Sequence, residues 1–85
     1  MHVKDVINDE IERRNVQLKS LEIGIVTKCE EGKDVTNART YHQKAAMSLA
    51  GVKEMLDQGL YEKAVYLFAQ GCWNLGYVQA ALNRL

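Results

Sequence analysis

Apolar side chains recur along this chain at alternating steps of four and three residues, and two glycine-centred polar stretches break the pattern. The first break is Glu30-Glu31-Gly32-Lys33-Asp34 and the second is Asp57-Gln58-Gly59. Glycine just past a periodic apolar run signals a helix end, because it takes a left-handed backbone without a Cβ penalty. No proline interrupts the runs. The pattern predicts an all-α fold with helices near 3–30, 35–57 and 60–84, packed as a three-helix hairpin or bundle in a single helical domain, 1–85.

In the first segment Ile7, Ile11, Leu18, Leu21 and Ile25 make a narrow seam, with Arg14 where another apolar residue should stand. Lys4 to Asp34 holds six basic and eight acidic residues, so the remainder of this helix is expected to face water. Asp9 with Arg13, and Glu10 with Arg14, are spaced as i,i+4 pairs in the favourable orientation, about 0.2–0.5 kcal/mol each. The second segment opens with Asp34 or Thr36 as its N-cap, since either oxygen can accept from a free first-turn N–H. Its stripe is Ala38, His42, Ala45, Leu49, Val52 and Leu56. His42 is expected to be a half-buried, hydrogen-bonded core residue, because nothing nearby in sequence would orient it as a ligand or base.

The third segment is different. Ala64 to Asn83 contains no charged side chain. At about 100° per residue, Tyr61, Ala64, Val65, Phe68, Cys72, Leu75 and Leu82 gather on one face. A second face collects Tyr66, Ala69, Trp73, Gly76, Tyr77 and Ala80, leaving a thin polar strip through Lys63, Gln70 and Asn74. A helix apolar around most of its circumference is buried on several sides. The two sister helices can cover the first face. Three occupants suit the second: the first helix folded across it with Trp73 as a core tryptophan, a second copy of the chain, or a different protein. The seam of the first helix is narrow for covering both faces. Ala69, Gly76 and Ala80 would let another backbone approach closely, and Tyr66, Trp73 and Tyr77 would supply the aromatic anchors that dominate interfaces. These six residues are the candidate interface.

Size sharpens that expectation. A chain of 85 residues hides only about 60% of its unfolded surface on folding, so such domains add disulfides, a metal, regular helix packing or oligomerisation. Met1 to Glu12 carries five charges and no apolar run, and Cys29 and Cys72 lie in helical patterns. Both are therefore expected to be reduced, buried thiols in a cytoplasmic protein. His2, Cys29, His42 and Cys72 are scattered without paired ligand spacing, so no metal or cofactor is expected. Eleven basic and eleven acidic residues cancel, which argues against a nucleic-acid partner, since the phosphate term needs a concentrated positive face. Gln70, Asn74, Gln79 and Asn83 would each be costly in hydrocarbon, so the apolar stretch is not expected to enter a membrane. Regular packing completed by oligomerisation or a partner protein remains.

The run from Gly59 to Phe68 resembles the turn and second helix of a tetratricopeptide repeat. Gly59, Tyr61, Ala64 and Phe68 match its spacing, and Gly71 stands where that repeat takes a small residue. Gly51, Val52 and Met55 replace the Leu, Gly and Tyr of the repeat's first helix, and no second repeat follows. The resemblance implies a helical hairpin that binds a helix or peptide and is not an enzyme. Because such repeats need about three units for stability, it also implies a helper helix or oligomerisation.

Function classes rank accordingly. An enzyme would need a phosphate-binding loop, a nucleophile with its base, or a carboxylate pair in an apolar pocket. Glu54 and Asp57 are spaced as on any exposed helix, and Cys72 has no nearby cation to activate it. A small DNA-binding or transcription-regulating protein is the alternative, but a recognition helix made of the third segment would present Phe68, Trp73 and Tyr77 with no basic residue between Lys63 and Arg84. The leading expectation is a small homo-oligomeric interaction module, an adaptor, inhibitor or chaperone that occupies a surface on another protein. Modules of this kind are common among phage and other mobile-element genes.

Overall fold

The computed structural model describes residues 3–85 as three helices, α1 (Val3–Glu30), α2 (Thr36–Asp57) and α3 (Tyr61–Asn83). Each helix end lies within one residue of its sequence-based position. The two glycines act as expected. Gly32 and Gly59 take φ of 82° and 75°, and both turns close with the paired bonds of a Schellman cap. Gly32 N–H and Lys33 N–H donate to Cys29 O and Lys28 O, each at 3.0 Å; Gly59 N–H and Leu60 N–H donate to Leu56 O and Met55 O at 3.0 and 2.9 Å.

The start of α2 differs from expectation. Val35, not Asp34 or Thr36, occupies the N-cap and makes no side-chain cap bond. Its side chain is 5% exposed and packed in the core, so burial fixes the entry of the helix. Asp34 serves from one position earlier: its Oδ1 accepts from Thr36 N–H at 3.0 Å and from Thr36 Oγ1 at 2.6 Å.

The seams of α1 and α2 are those the spacing predicts. Leu18, Leu21 and Ile25 meet Ala38, Ala45 and Leu49 and, from α3, Leu75, Val78 and Leu82. A second cluster joins Val52, Leu56 and Ala64, with Ile7 and Ile11 half-buried against it. Arg14 lies on the α1 seam between the two clusters. Its Nη1 donates to Gln17 Oε1 at 3.1 Å and Nη2 sits 3.7 Å from Glu10 Oε2, but its buried Nε has no partner. Arg13 also turns to Glu10, at 2.8 Å, instead of to Asp9. His42 is half-buried with Nε2 2.8 Å from Leu18 O. A carbonyl only accepts, so Nε2 carries the proton and ties α2 to α1.

The inner face of α3 corrects the sequence reading. Ala64, Gly71, Leu75, Val78 and Leu82 are buried, again on four- and three-residue steps, with Phe68 and Cys72 half-buried. Tyr61 and Val65, assigned to that face, are each 51% exposed. They stand well to one side of the buried line, whose centre is set by the closest approach of α2. A Cβ added at Gly71 would lie 2.6 Å from Cγ and Cδ2 of Leu49, so Leu49 occupies the space a side chain would need. Cys29, expected to be buried, is exposed. It belongs to the last turn of α1, where its carbonyl is taken by the closing Gly32 cap and the chain leaves the bundle.

The result is a rod, 45 × 18 × 16 Å between Cα extremes, in which α2 and α3 form the most extensive pair. One exposed ion pair, Lys4 Nζ to Asp57 Oδ1 at 3.0 Å, joins its far end. Such pairs contribute about 0–1 kcal/mol.

Candidate functional site

The six residues of the candidate interface all lie on the exposed side of α3. From the buried line through Ala64, Gly71, Leu75, Val78 and Leu82, the positions of Ala69, Trp73 and Ala80 fall about half a turn away at 3.6 residues per turn. Neither α1 nor α2 covers them. Trp73 is 71% exposed, Tyr66 63% and Tyr77 52%, so Trp73 is not a core tryptophan of this fold. Nothing within 4 Å would meet a Cβ at Gly76. The face therefore presents a small-residue floor flanked by open rings.

Polar side chains sit at its edge instead of its centre. Gln70 and Asn74 are half-buried on the side of α3 nearer α2. Gln70 Nε2 donates to Tyr66 Oη at 3.0 Å, and Asn74 Nδ2 donates to Gln70 O at 2.9 Å. These bonds give Gln70 and Asn74 partners within α3, so both amides are engaged at the edge of the face. An ordinary surface helix shows the reverse arrangement, polar outward and apolar at the flanks.

Tyr77 links the face to α2. Its ring centroid is 5.1 Å from that of Tyr41 with the planes tilted by 36°, and Lys44 Nζ lies 5.8 Å over the Tyr41 ring. Beside this pair a cavity of about 320 Å³ opens between the start of α2 and the end of α3, lined among others by Asp34, Asn37, Tyr41, Tyr77, Ala80 and Arg84. Asp34 has its carboxyl held below its ordinary 3.8 by the hydroxyl and then the backbone N–H of Thr36. The cavity shares Tyr77 and Ala80 with the outer face, a continuity the sequence reading did not anticipate. It arises because the glycine turn at Gly59 sends α3 back along α2, bringing Ala80 and Arg84 beside Asp34.

Other candidate chemistry is not assembled. Among the described residues no three His, Cys, Asp or Glu side chains converge as a metal site; His2, considered above as a ligand, lies outside the described residues. Cys72 is half-buried and Cys29 exposed at the end of α1. Among the described residues no helix is long and apolar enough to cross a membrane. Compared with family models, curated proteins and solved structures, the chain matches none.

Proposed function

We propose that this protein is a small interaction module that occupies a surface of another protein and works as a homo-oligomer in the cytoplasm, with the outer face of α3 as an interaction surface. The observation that carries this reading is Trp73, 71% exposed at the middle of a helix that has no charged residue from Ala64 to Asn83. Exposed apolar patches of this size and composition mark interaction surfaces. Tryptophan and tyrosine in such patches supply most of the binding energy when water is excluded around them. The reading is also in keeping with the resemblance of Gly59, Tyr61, Ala64 and Phe68 to a peptide-binding helical hairpin, and it assigns no catalytic, metal or cofactor role to any residue.

The test is Trp73→Ala, followed in parallel by light scattering after size exclusion and by thermal unfolding. Because the indole touches little of the core, folding stability should stay within about 0.5 kcal/mol of wild type, while association weakens at least about tenfold. Loss of helical circular dichroism in step with loss of association would make Trp73 a structural residue and end this assignment.

A further inference from the structure

The outer face of α3 has an order that its composition alone does not require. Along its midline run Tyr66, Ala69, Trp73, Gly76, Ala80 and Asn83, separated by alternating steps of three and four residues. That is the spacing of a helix–helix seam. The spacing of these positions is symmetric about the midpoint between Asn74 and Leu75. Ala69 and Ala80 are equidistant from that point, and so are Trp73 and Gly76. Two copies of α3 laid antiparallel would set alanine against alanine and, in the two central layers, tryptophan against glycine. Gly76 is the position with nothing within 4 Å of an added Cβ, so it is an unfilled notch of the kind that a facing ring fills. Within the monomer the same device is already in use, with Leu49 occupying the space at Gly71.

Charge favours the same arrangement. The face begins at Glu62 and ends at Arg84, and both are exposed. Neither belongs to the ion pairs found among the described residues. An antiparallel partner brings Glu62 of one copy toward Arg84 of the other at both ends; a parallel partner sets like charge near like charge. The area is adequate. At about 150–250 Å² per large aromatic side chain, the exposures of Trp73, Tyr66 and Tyr77 leave roughly 300–450 Å². That is about half of the 800 Å² or so that each partner gives to a stable interface, before the alanines and flanking side chains are added.

We infer that the occupant of this face is a second copy of the chain, in a two-fold antiparallel dimer with each Trp73 seated over Gly76 of the other copy. The inference rests on the reading of the outer face as an interaction surface and deepens it by naming the partner and its register. In that dimer the two Trp73 rings are buried at the centre and Tyr66 faces Asn83 toward each end, while the charged outer side of α1 and the α2–α3 turn remain on the dimer's exterior.

The decisive experiment uses the full chain with Cys29→Ser and Cys72→Ala. Ala69→Cys and Ala80→Cys are introduced separately, in differently tagged proteins, and oxidised alone and mixed. The antiparallel register predicts a cross-link between the two variants and little self-linking of either. It also predicts that Gly76→Trp weakens dimerisation at least about tenfold while leaving helicity intact, and that Trp73→Gly combined with Gly76→Trp restores it. Self-linking of Ala69→Cys would establish a parallel pair and overturn the register while leaving the face as the interface. A wild type that stays monomeric over a hundredfold concentration range would remove the second copy as occupant. A dimer indifferent to Trp73→Ala would instead remove the outer face itself.

Discussion

The two sides of α3 are both apolar, yet they are built differently. Inward lie Ala64, Gly71, Leu75, Val78 and Leu82, aliphatic or absent side chains that let α2 come close. Outward lie Tyr66, Ala69, Trp73, Gly76, Tyr77 and Ala80, with large rings beside small residues. Each side has a glycine at its centre. At Gly71 the missing side chain is replaced by Leu49, and at Gly76 by nothing. Hydrophobicity alone therefore does not say which side folds the chain. The deciding property is shape: the inner side is complementary to surfaces carried by the same molecule, whereas on the outer side only Tyr77, against Tyr41, meets one.

Leucine 75 and tryptophan 73 give the largest contrast. They are two residues apart, 1% and 71% exposed. Leu75→Ala should destabilise the fold by about 2–5 kcal/mol, since it opens a cavity among α1, α2 and α3, and this would be read as a lower denaturant midpoint at unchanged slope. The larger side chain, Trp73, should matter far less to the same measurement. Equal losses in the two variants would abolish the distinction between the faces.

The glycines provide a smaller and sharper contrast, because the same substitution should have opposite signs. Alanine is favoured over glycine in a helix interior by about 0.8–1.0 kcal/mol. At Gly76, where space is open in the single chain, Gly76→Ala should raise the stability of the monomer by up to that amount. At Gly71 the new methyl meets Leu49 at 2.6 Å, and overpacking of about 1–3 kcal/mol outweighs the helix gain. Thermal unfolding of the two variants should place them on either side of wild type. A Gly71→Ala protein more stable than wild type would mean Leu49 can move aside and the close approach of α2 and α3 is not needed.

How much of this could be read from the chain depends on contrast around each helix. In α1 and α2 the seams run between charged residues, so Ile7 to Ile25 and Ala38 to Leu56 have a clear phase, and Gly32 and Gly59 mark the ends. In α3 nearly every position is apolar or small, and the periodicity loses its phase. Tyr61 and Val65 then look as buried as Leu75, and the roles of Gly71 and Val78 are invisible until α2 is placed against them. The continuation of the four- and three-residue steps through Ala64, Phe68, Gly71, Leu75, Val78 and Leu82 was the available signal. Cys29 and the Val35 cap escaped for a different reason: both depend on where the chain leaves or enters the bundle, which periodicity does not encode.

Acid should produce the smallest effect, and it separates the faces in another way. Asp34 stands beside the cavity where the two sides of α3 meet, near Ala81 of the inner flank and Tyr77 and Ala80 of the outer. Its carboxyl is held below the ordinary 3.8 by the Thr36 hydroxyl and N–H. A lowered folded value means that the ionised form contributes stability above the unfolded value of 3.8, and that this contribution fades as pH falls through the folded value. The melting temperature should therefore drop more steeply as pH falls below 3.8 in wild type than in Asp34→Asn, whose amide oxygen keeps the acceptor without titrating. The difference should be small because Asp34 is fully exposed and screened. It should also be confined to unfolding, because the bonds of Asp34 go to Thr36 in the first turn of α2. Were Asp34→Asn to change the concentration dependence of the mass at neutral pH instead, the cavity would have to be counted as part of the outer surface, and the boundary between the face that folds the chain and the face proposed to bind would lie nearer α2 than Tyr77.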